Sequence, residues 1–122
     1  MVCGCRSNPS PVTFSQTLTR TELFLGLSKP GGGTVSLDEF KAFLDAEVTP
    51  RFPDGYSVIP AEGRWRDAAS GITLVEQSRI IMILHEPTAE AEQKIEAIRD
   101  AYKKRFNQDA VLRTDDPQQA SF

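Results

Sequence analysis

The chain has 122 residues, 39% of them hydrophobic and 25% charged, which is ordinary for a globular protein and argues against a disordered chain. A chain of this length is expected to form one domain with a single core. The formal net charge of -3 argues against a nucleic-acid-binding protein, because such proteins neutralise phosphates with a basic surface. No transmembrane segment is predicted, since no segment reaches the roughly 18 apolar residues that a membrane span requires.

The only two cysteines, Cys3 and Cys5, are too close together to staple the fold or to form a four-ligand zinc site. Val2-Cys3-Gly4-Cys5 partly matches the end of a bacterial lipoprotein cleavage site, in which the last cysteine receives lipid. Cys5 is therefore a lipidation candidate, and residues 1–15 are interpreted as a flexible tether. The alternative is that this start carries no signal, because no apolar export segment precedes the cysteines.

Alternating side chains predict a first strand over Gln16–Leu27. Leucines occupy one face of this strand, and Glu22, Phe24 and Gly26 occupy the other. The segment Ser28–Thr34 contains three consecutive glycines after a proline. It is interpreted as a flexible connector, because it lacks the lysine-serine or lysine-threonine ending of a phosphate-binding loop.

A helix is predicted after this connector. Ser36 and Glu39 have the spacing of a capping box, and Val35 and Phe40 occupy the positions of a hydrophobic staple. Pro50 is expected to end the helix. The predicted apolar face consists of Leu37, Phe40, Phe43, Leu44 and Val48.

Tyr56–Arg66 and Ile72–His85 are predicted to form a β-hairpin around the loop Asp67–Gly71. The second strand is apolar on both faces over Arg79–Leu84, which is typical of a central strand. The first strand contains Pro60, which cannot donate a hydrogen bond to a neighbouring strand. We therefore expect an edge strand that is bulged or broken at this proline.

A second helix is predicted to begin at Pro87-Thr88, and its apolar face consists of Ala91, Ile95, Ile98 and Tyr102. A short strand over Ala110–Arg113 and a polar tail over residues 115–122 are predicted to follow it. The order of elements predicts an α+β, ferredoxin-like (βαββαβ) domain over residues 16–114, with a four-stranded antiparallel sheet. Both helices would then lie on one face of the sheet. The other face is expected to serve as a dimer interface, a ligand-holding surface or a pocket under a lid.

Three arginines are the candidates for ligand binding. Arg64 and Arg66 share one face of the second strand, with Trp65 on the other, and Arg51 lies near the end of the first helix. Such a set could clamp a small anion by bidentate hydrogen bonds. The alternative is that the arginines form surface salt bridges and that Trp65 anchors sheet packing. The candidate partners in those salt bridges are Glu22, Asp54, Glu62 and Glu76.

Glu22 and His85 are weak candidates for acid or base catalysis. Glu22 lies within an apolar strand on the face that no helix covers, where enclosure would raise its pKa unless an arginine paired with it. His85 is the only histidine, so no metal site and no cofactor are predicted. The alternative for His85 is a solvated residue at the end of a strand. No nucleophile, histidine and acid arrangement is recognisable.

Three segments, Thr21–Leu27, Val48–Gly55 and Gly63–Arg66, resemble a bacterial family of uncharacterised proteins, domain of unknown function 3574. The resemblance covers about residues 17–114. It implies an N-terminal export or lipoprotein segment, which favours lipid on Cys5 and a location in the cell envelope or periplasm. This chain shows no such segment, so we expect that its start was assigned too late or that the segment was removed. Without such a signal the expected location is cytoplasmic.

Two functions remain open. The first is a non-enzymatic module, tethered to the envelope through Cys5, that forms a homodimer or binds a partner or small anion through the open sheet face. The second is a cofactor-independent enzyme or ligand binder that holds a small organic molecule against the sheet. In that case Glu22, His85 and the arginines would supply the polar groups. The resembled family has no established activity, and fold alone is weak evidence for chemistry.

Overall fold

The computed structural model describes residues 15–122. Residues 1–14, with Cys5 and nearly all of the predicted tether, lie outside the described part. Neither described helix is long and apolar enough to cross a membrane. The elements, in chain order, are β1 (Gln16–Gly26), α1 (Leu37–Phe43), a π-helical turn (Leu44–Val48), β2 (Ser57–Arg66), β3 (Thr73–His85), α2 (Ala89–Phe106) and β4 (Leu112–Ala120).

The strands form one antiparallel sheet in the order β2-β3-β1-β4. β3 is therefore a central strand and β2 an edge strand, as the sequence predicts. The loop between them closes where the amide of Asp67 donates to the carbonyl of Ile72 at 2.9 Å. The prediction of an α+β fold with a four-stranded antiparallel sheet and two helices is confirmed.

One face of the sheet packs on the helices, and we call it the covered face. Its central side chains are fully buried, and they are Leu23, Leu25, Ile81 and Ile83. Both helices and the π-helical turn contribute to the same core through Phe40, Phe43, Val48, Ile95, Ile98, Tyr102 and Phe106. The opposite face carries Phe24, Ile80 and Met82 at its centre, none of which belongs to this core, and we call it the open face.

Tyr102 lies at the centre of an aromatic cluster in the core. Its ring centroid is 5.1 Å from that of Phe43 and 4.9 Å from that of Phe106. Its hydroxyl donates to the carbonyl of Gly26 at 2.6 Å, which ties α2 to the end of β1. Burial raises the pKa of Tyr102 above its ordinary value, so the hydroxyl remains a donor at neutral pH.

The capping box at the start of α1 forms as predicted. The side chain of Ser36 accepts from the amide of Glu39 at 3.1 Å, and the Glu39 carboxylate accepts from the amide of Ser36 at 2.9 Å. Val35 and Phe40 are both buried, as a hydrophobic staple requires. Leu37, however, is 58% exposed, so it does not pack in the core with Phe40 and Phe43 as predicted.

The two edge strands correct two expectations. β2 pairs with β3 without interruption through Pro60, so it is neither bulged nor broken there. An edge strand has one side without a partner, and a proline nitrogen can point to that side. The predicted polar tail is largely strand, since β4 continues to Ala120 and pairs with β1 along its whole length. Edge strands tolerate this polar sequence, including Pro117, because only one of their sides must donate to a neighbour.

Candidate ligand-binding site

The segment after the π-helical turn folds into a tight corner, residues 49–56. The amides of Arg51 and Phe52 donate to the carbonyl of Val48 at 3.0 and 2.9 Å, and the amide of Gly55 donates to Phe52 at 3.2 Å. Gly55 has φ of 133°, a conformation that favours glycine. The corner is therefore rigid enough to present its side chains in fixed positions.

The corner forms one wall of a cavity of about 530 Å³, a volume that falls in the range of small-molecule sites. The remaining walls come from the start of β1, the end of β3 and the first turn of α2. The lining residues are Gln16, Leu18, Arg51, Phe52, Pro53, Asp54, Gly55, Leu84, His85, Glu86, Thr88, Glu90, Ala91 and Lys94. This space, which we call the corner cavity, brings together two of the predicted site residues, Arg51 and His85.

His85 is held in the cavity wall by hydrogen bonds at both ring nitrogens. Nε2 lies 2.7 Å from the hydroxyl of the fully buried Thr21, and Nδ1 lies 2.8 Å from the carbonyl oxygen of Glu86. The Thr21 hydroxyl also donates to Asp115 at 2.6 Å. The two contacts fix the orientation of the His85 ring, and the tautomer decides which ring nitrogen donates.

Asp115 supplies the negative charge behind His85. Desolvation raises the pKa of Asp115, but hydrogen bonds from Thr21 and Arg113, with the positive charges of Arg113 and His85, outweigh it. The pKa of Asp115 is therefore below its ordinary value, and its carboxylate accepts rather than donates. The resulting chain from Asp115 through Thr21 to His85 joins three strands of the sheet.

Arg51 and Lys94 are the two lysine or arginine side chains in the lining of the corner cavity. The Nη1 of Arg51 donates to the carbonyl and to the carboxylate of Glu47, both at 2.9 Å. This anchors the guanidinium through one nitrogen. The ammonium of Lys94 is 5.8 Å from the ring centroid of Phe52, within cation–π range, and 3.9 Å from Glu90.

The other predicted ligand-binding residues lie elsewhere. Arg64 is on the β2–β3 hairpin, where its Nε donates to Glu62 at 2.7 Å. Arg66 shares its strand face, and Trp65 lies on the open face, half exposed. None of these three lines the corner cavity. The arginines are thus divided between two parts of the molecule, and Arg51 alone shares a cavity with His85.

Glu22 lies on the open face, on the side of the sheet opposite His85. Its carboxylate is 3.8 Å from the Nε of Arg20, and its side chain is partly exposed. The candidate pair Glu22 and His85 therefore cannot act on one molecule from the same side of the sheet. Within residues 15–122, no three His, Cys, Asp or Glu side chains cluster closely enough to hold a metal ion.

The open face carries an apolar row that crosses all four strands. The register places Ile59, Ile80, Phe24 and Leu112 side by side, one from each strand. Ile59 and Leu112, at the edges, are exposed, and the two central members are partly exposed. Trp65 and Leu74 form a further exposed pair on the same face. The sequence predicts this apolar open face but not that the row reaches both edges.

Three residues in or next to the corner cavity are not identified by the sequence analysis. Asp115 was assigned to the polar tail, and Lys94 carries no signal beyond its place on a charged helix. Thr21 could have been found, because alternation places it on the same face as Leu23 and Leu25. A polar side chain buried at such a position needs a hydrogen-bond partner.

Solved structures of a phage SAM lyase have a similar fold. The lyase in complex with S-methyl-5'-thioadenosine shares 16% identity and a TM-score of 0.62, over 86% of this chain and 90% of that one. The lyase in the apo state shares 15% identity and a TM-score of 0.59, over 87% and 90%. At these identities the likeness shows the fold alone.

No curated protein matches the chain. Residues 20–122, nearly the whole chain, match a family described as a protein of unknown function, DUF3574, in agreement with the resemblance of the three sequence segments. The chain belongs to the DUF3574 family.

Proposed function

We propose that this protein is a small binding module that forms a homodimer through its open sheet face. Lipid on Cys5 would tether the module to the cell envelope. The observation that carries the proposal is the apolar row of Ile59, Ile80, Phe24 and Leu112, which lies outside the core of the described chain. Exposed contiguous apolar surface of this kind marks interaction sites in globular proteins.

A second copy of the chain is the occupant that fits this face best. Four strands about 4.8 Å apart and roughly nine residues long have a footprint of roughly 600 Å², the order that a standard interface buries on each partner. A two-fold axis between Ile80 and Phe24 would lay the row on its own copy. The face also carries both signs of charge, Arg20 beside Glu22 and Asp116, which a self-complementary contact requires.

The substitution Leu112→Glu tests the homodimer. Leu112 is 59% exposed and its loss leaves the core intact, so we expect a folded monomer where the parent chain is a dimer. Leu37→Glu is the matched control, since Leu37 is 58% exposed but lies on α1.

Native mass spectrometry of protein purified from its own cells reports subunit number and lipid on Cys5 together. A parent chain that is monomeric at micromolar concentration contradicts the homodimer, and a chain without added lipid mass contradicts the tether.

A second candidate function is a cofactor-independent enzyme or small-molecule binder. The corner cavity favours it, and so does the similarity of the fold to that of a phage SAM lyase. Incubation of the purified chain with SAM, followed by chromatography and mass spectrometry for S-methyl-5'-thioadenosine, tests the activity that this similarity suggests. Product formation that requires the folded chain supports the enzyme. No product above the level of heat-unfolded protein counts against SAM as the substrate.

A further inference from the structure

We infer that the corner cavity binds a small organic anion, a carboxylate on an apolar body, between Lys94, Arg51 and the ring of His85. None of its lining residues belongs to the apolar row of the open face, so this site goes beyond self-association. It deepens the second candidate function and rests on the cavity rather than on any turnover. The chemical class follows from three features of the lining: its charges, its walls and the helix that begins beside it.

Two cations and three carboxylates line the cavity, and the cations are the less exposed. Among the basic lining residues, Arg51 has a side chain 33% exposed and Lys94 one 38% exposed. Among the acidic ones, Glu90 is 79% exposed, and Asp54 and Glu86 are exposed as well. Water therefore screens the carboxylates more than the two cations. An anion that contacts both cations gains more from them than it loses to the exposed acids.

The cations retain donors for a ligand. Arg51 uses Nη1 to bond Glu47, and its hydrogen bonds within the described chain engage neither Nη2 nor Nε. The contact of Lys94 with Glu90 is long at 3.9 Å, so its ammonium can turn to a closer partner. The fold therefore orients both side chains and leaves each of them N–H donors for a ligand. Such charged donors bind a carboxylate more strongly than neutral ones.

The lining also contains apolar side chains. They are Phe52 and Pro53 from the corner and Leu18 and Leu84 from the strands. The ring of Phe52 is 6.3 Å from the ring of His85, so a flat apolar body would have aromatic surface on one side. A bare inorganic anion would leave these walls without contacts, whereas an aryl or alkyl carboxylate would use them.

The first turn of α2 adds to the positive potential. Thr88 and Ala91 line the cavity at the N-terminus of this 18-residue helix. The amides of a helix N-terminus carry a partial positive charge. Together with Arg51 and Lys94, this end of the helix makes the cavity more favourable to an anion than to a cation of the same shape.

Binding of benzoate tests the inference, with benzylamine as a cation of similar size and inorganic phosphate as an anion without an apolar body. His85 is the only histidine, so its ring protons give unique NMR signals in the full chain. We expect benzoate to shift these signals saturably, phosphate to bind about tenfold more weakly, and benzylamine not to saturate. Lys94→Gln should weaken benzoate binding by about tenfold.

Lys103→Gln is the matched control, because Lys103 lies on the same helix, has a side chain 34% exposed and contacts Asp100 at 3.6 Å. It should leave benzoate binding unchanged. Equal responses to benzoate and benzylamine, or equal binding by both lysine variants, overturn the anion site. Benzoate binding does not depend on the homodimer, because it is also measured in the Leu112→Glu variant. It does not depend on SAM turnover, because no product is measured.

Discussion

The two faces of the sheet are made from similar residues but have different surroundings. On β3, Ile81 and Ile83 are fully buried on the covered face, while their neighbours Ile80 and Met82 are partly exposed on the open face. Hydropathy therefore does not distinguish the two faces, and the helices do. An apolar face that residues 15–122 leave open is unfavourable in water, which is the physical reason to expect a second copy there.

The largest effect on stability is expected when a side chain on the covered face is truncated, and this variant tests whether the two faces differ. Ile81→Ala removes a fully buried side chain and leaves a cavity, so we expect a loss of about 3 kcal/mol in the free energy of unfolding. Ile80→Ala, one residue away on the open face, should cost about 1 kcal/mol or less in a dilute monomer. Urea unfolding of both variants measures the difference.

The same two variants should also respond differently to protein concentration. If the open face is buried between two copies, the cost of Ile80→Ala rises with concentration, because dimerisation stabilises only the folded chain. The cost of Ile81→Ala should not change with concentration. If both variants lose the same free energy of unfolding at every concentration, the two faces contribute equally to stability, which contradicts the difference in their exposure.

A smaller effect is expected at the edge of the covered face, where Arg113 joins β4 to α2. Its guanidinium donates to Glu92 and Glu96 at 2.7 to 2.8 Å and contacts Asp115, and only 14% of its side chain is exposed. Arg113→Gln leaves Glu92 without its ion-pair partner, while Glu96 keeps Arg99 and Asp115 keeps the Thr21 hydroxyl. We expect a loss of about 2 kcal/mol at pH 7, less than for a fully buried ion pair because the carboxylates are partly exposed.

The pH dependence of this loss has a definite sign. Desolvation raises the pKa of Glu96, but hydrogen bonds from Arg99 and Arg113 lower it further than burial raises it. The pKa of Asp115 is also lowered. Stability from depressed carboxylates is present above their ordinary values, 4.5 for Glu96 and 3.8 for Asp115, and is lost as pH falls through the folded values. The difference between the parent chain and Arg113→Gln should therefore shrink at acid pH, and a constant difference in urea unfolding contradicts this account.

Local sequence rules predict the elements of this fold well. The capping box of Ser36, the alternation of β1 and the face of α2 depend on neighbours a few residues apart, and such neighbours are visible in the sequence. The length of β4 was missed, because Asp115, Asp116 and Pro117 have low strand propensity. Pairing with β1 overrides that propensity, and this pairing joins residues about 90 positions apart.

The candidate site was predictable only in part for the same reason. The corner segment and His85 stand out as unusual residue types, and both line the corner cavity. Their partners Thr21 and Asp115 are distant in sequence, and only the register of β1 with β3 and β4 brings them together. Arg64 and Arg66 share a strand face with each other but not with Arg51, because the hairpin extends away from the corner.

The Asp115, Thr21 and His85 chain gives the next prediction. Thr21→Val keeps the shape of a fully buried side chain but removes the hydroxyl that is hydrogen-bonded to His85 and donates to Asp115. We expect a loss of about 1 to 2 kcal/mol, because two polar groups lose their partner in a partly buried place. Thr21→Ser should restore most of the loss, since it retains the hydroxyl. Thermal unfolding measures both, and equal behaviour of valine and serine would mean that the hydroxyl bonds do not contribute.

The smallest effect is expected from Arg64→Ala, at the end of the hairpin. Arg64 and Glu62 form an exposed pair, and such pairs gain little because water and salt screen them. We therefore expect no resolvable change in the urea midpoint, in subunit number or in benzoate binding. Trp65→Ala, one residue away on the open face, should weaken the homodimer, because a half-exposed tryptophan loses its contacts only when the face is covered. If Arg64→Ala instead weakened anion binding as Lys94→Gln does, the hairpin arginines would belong to the anion site and the assignment to the corner cavity would be incomplete.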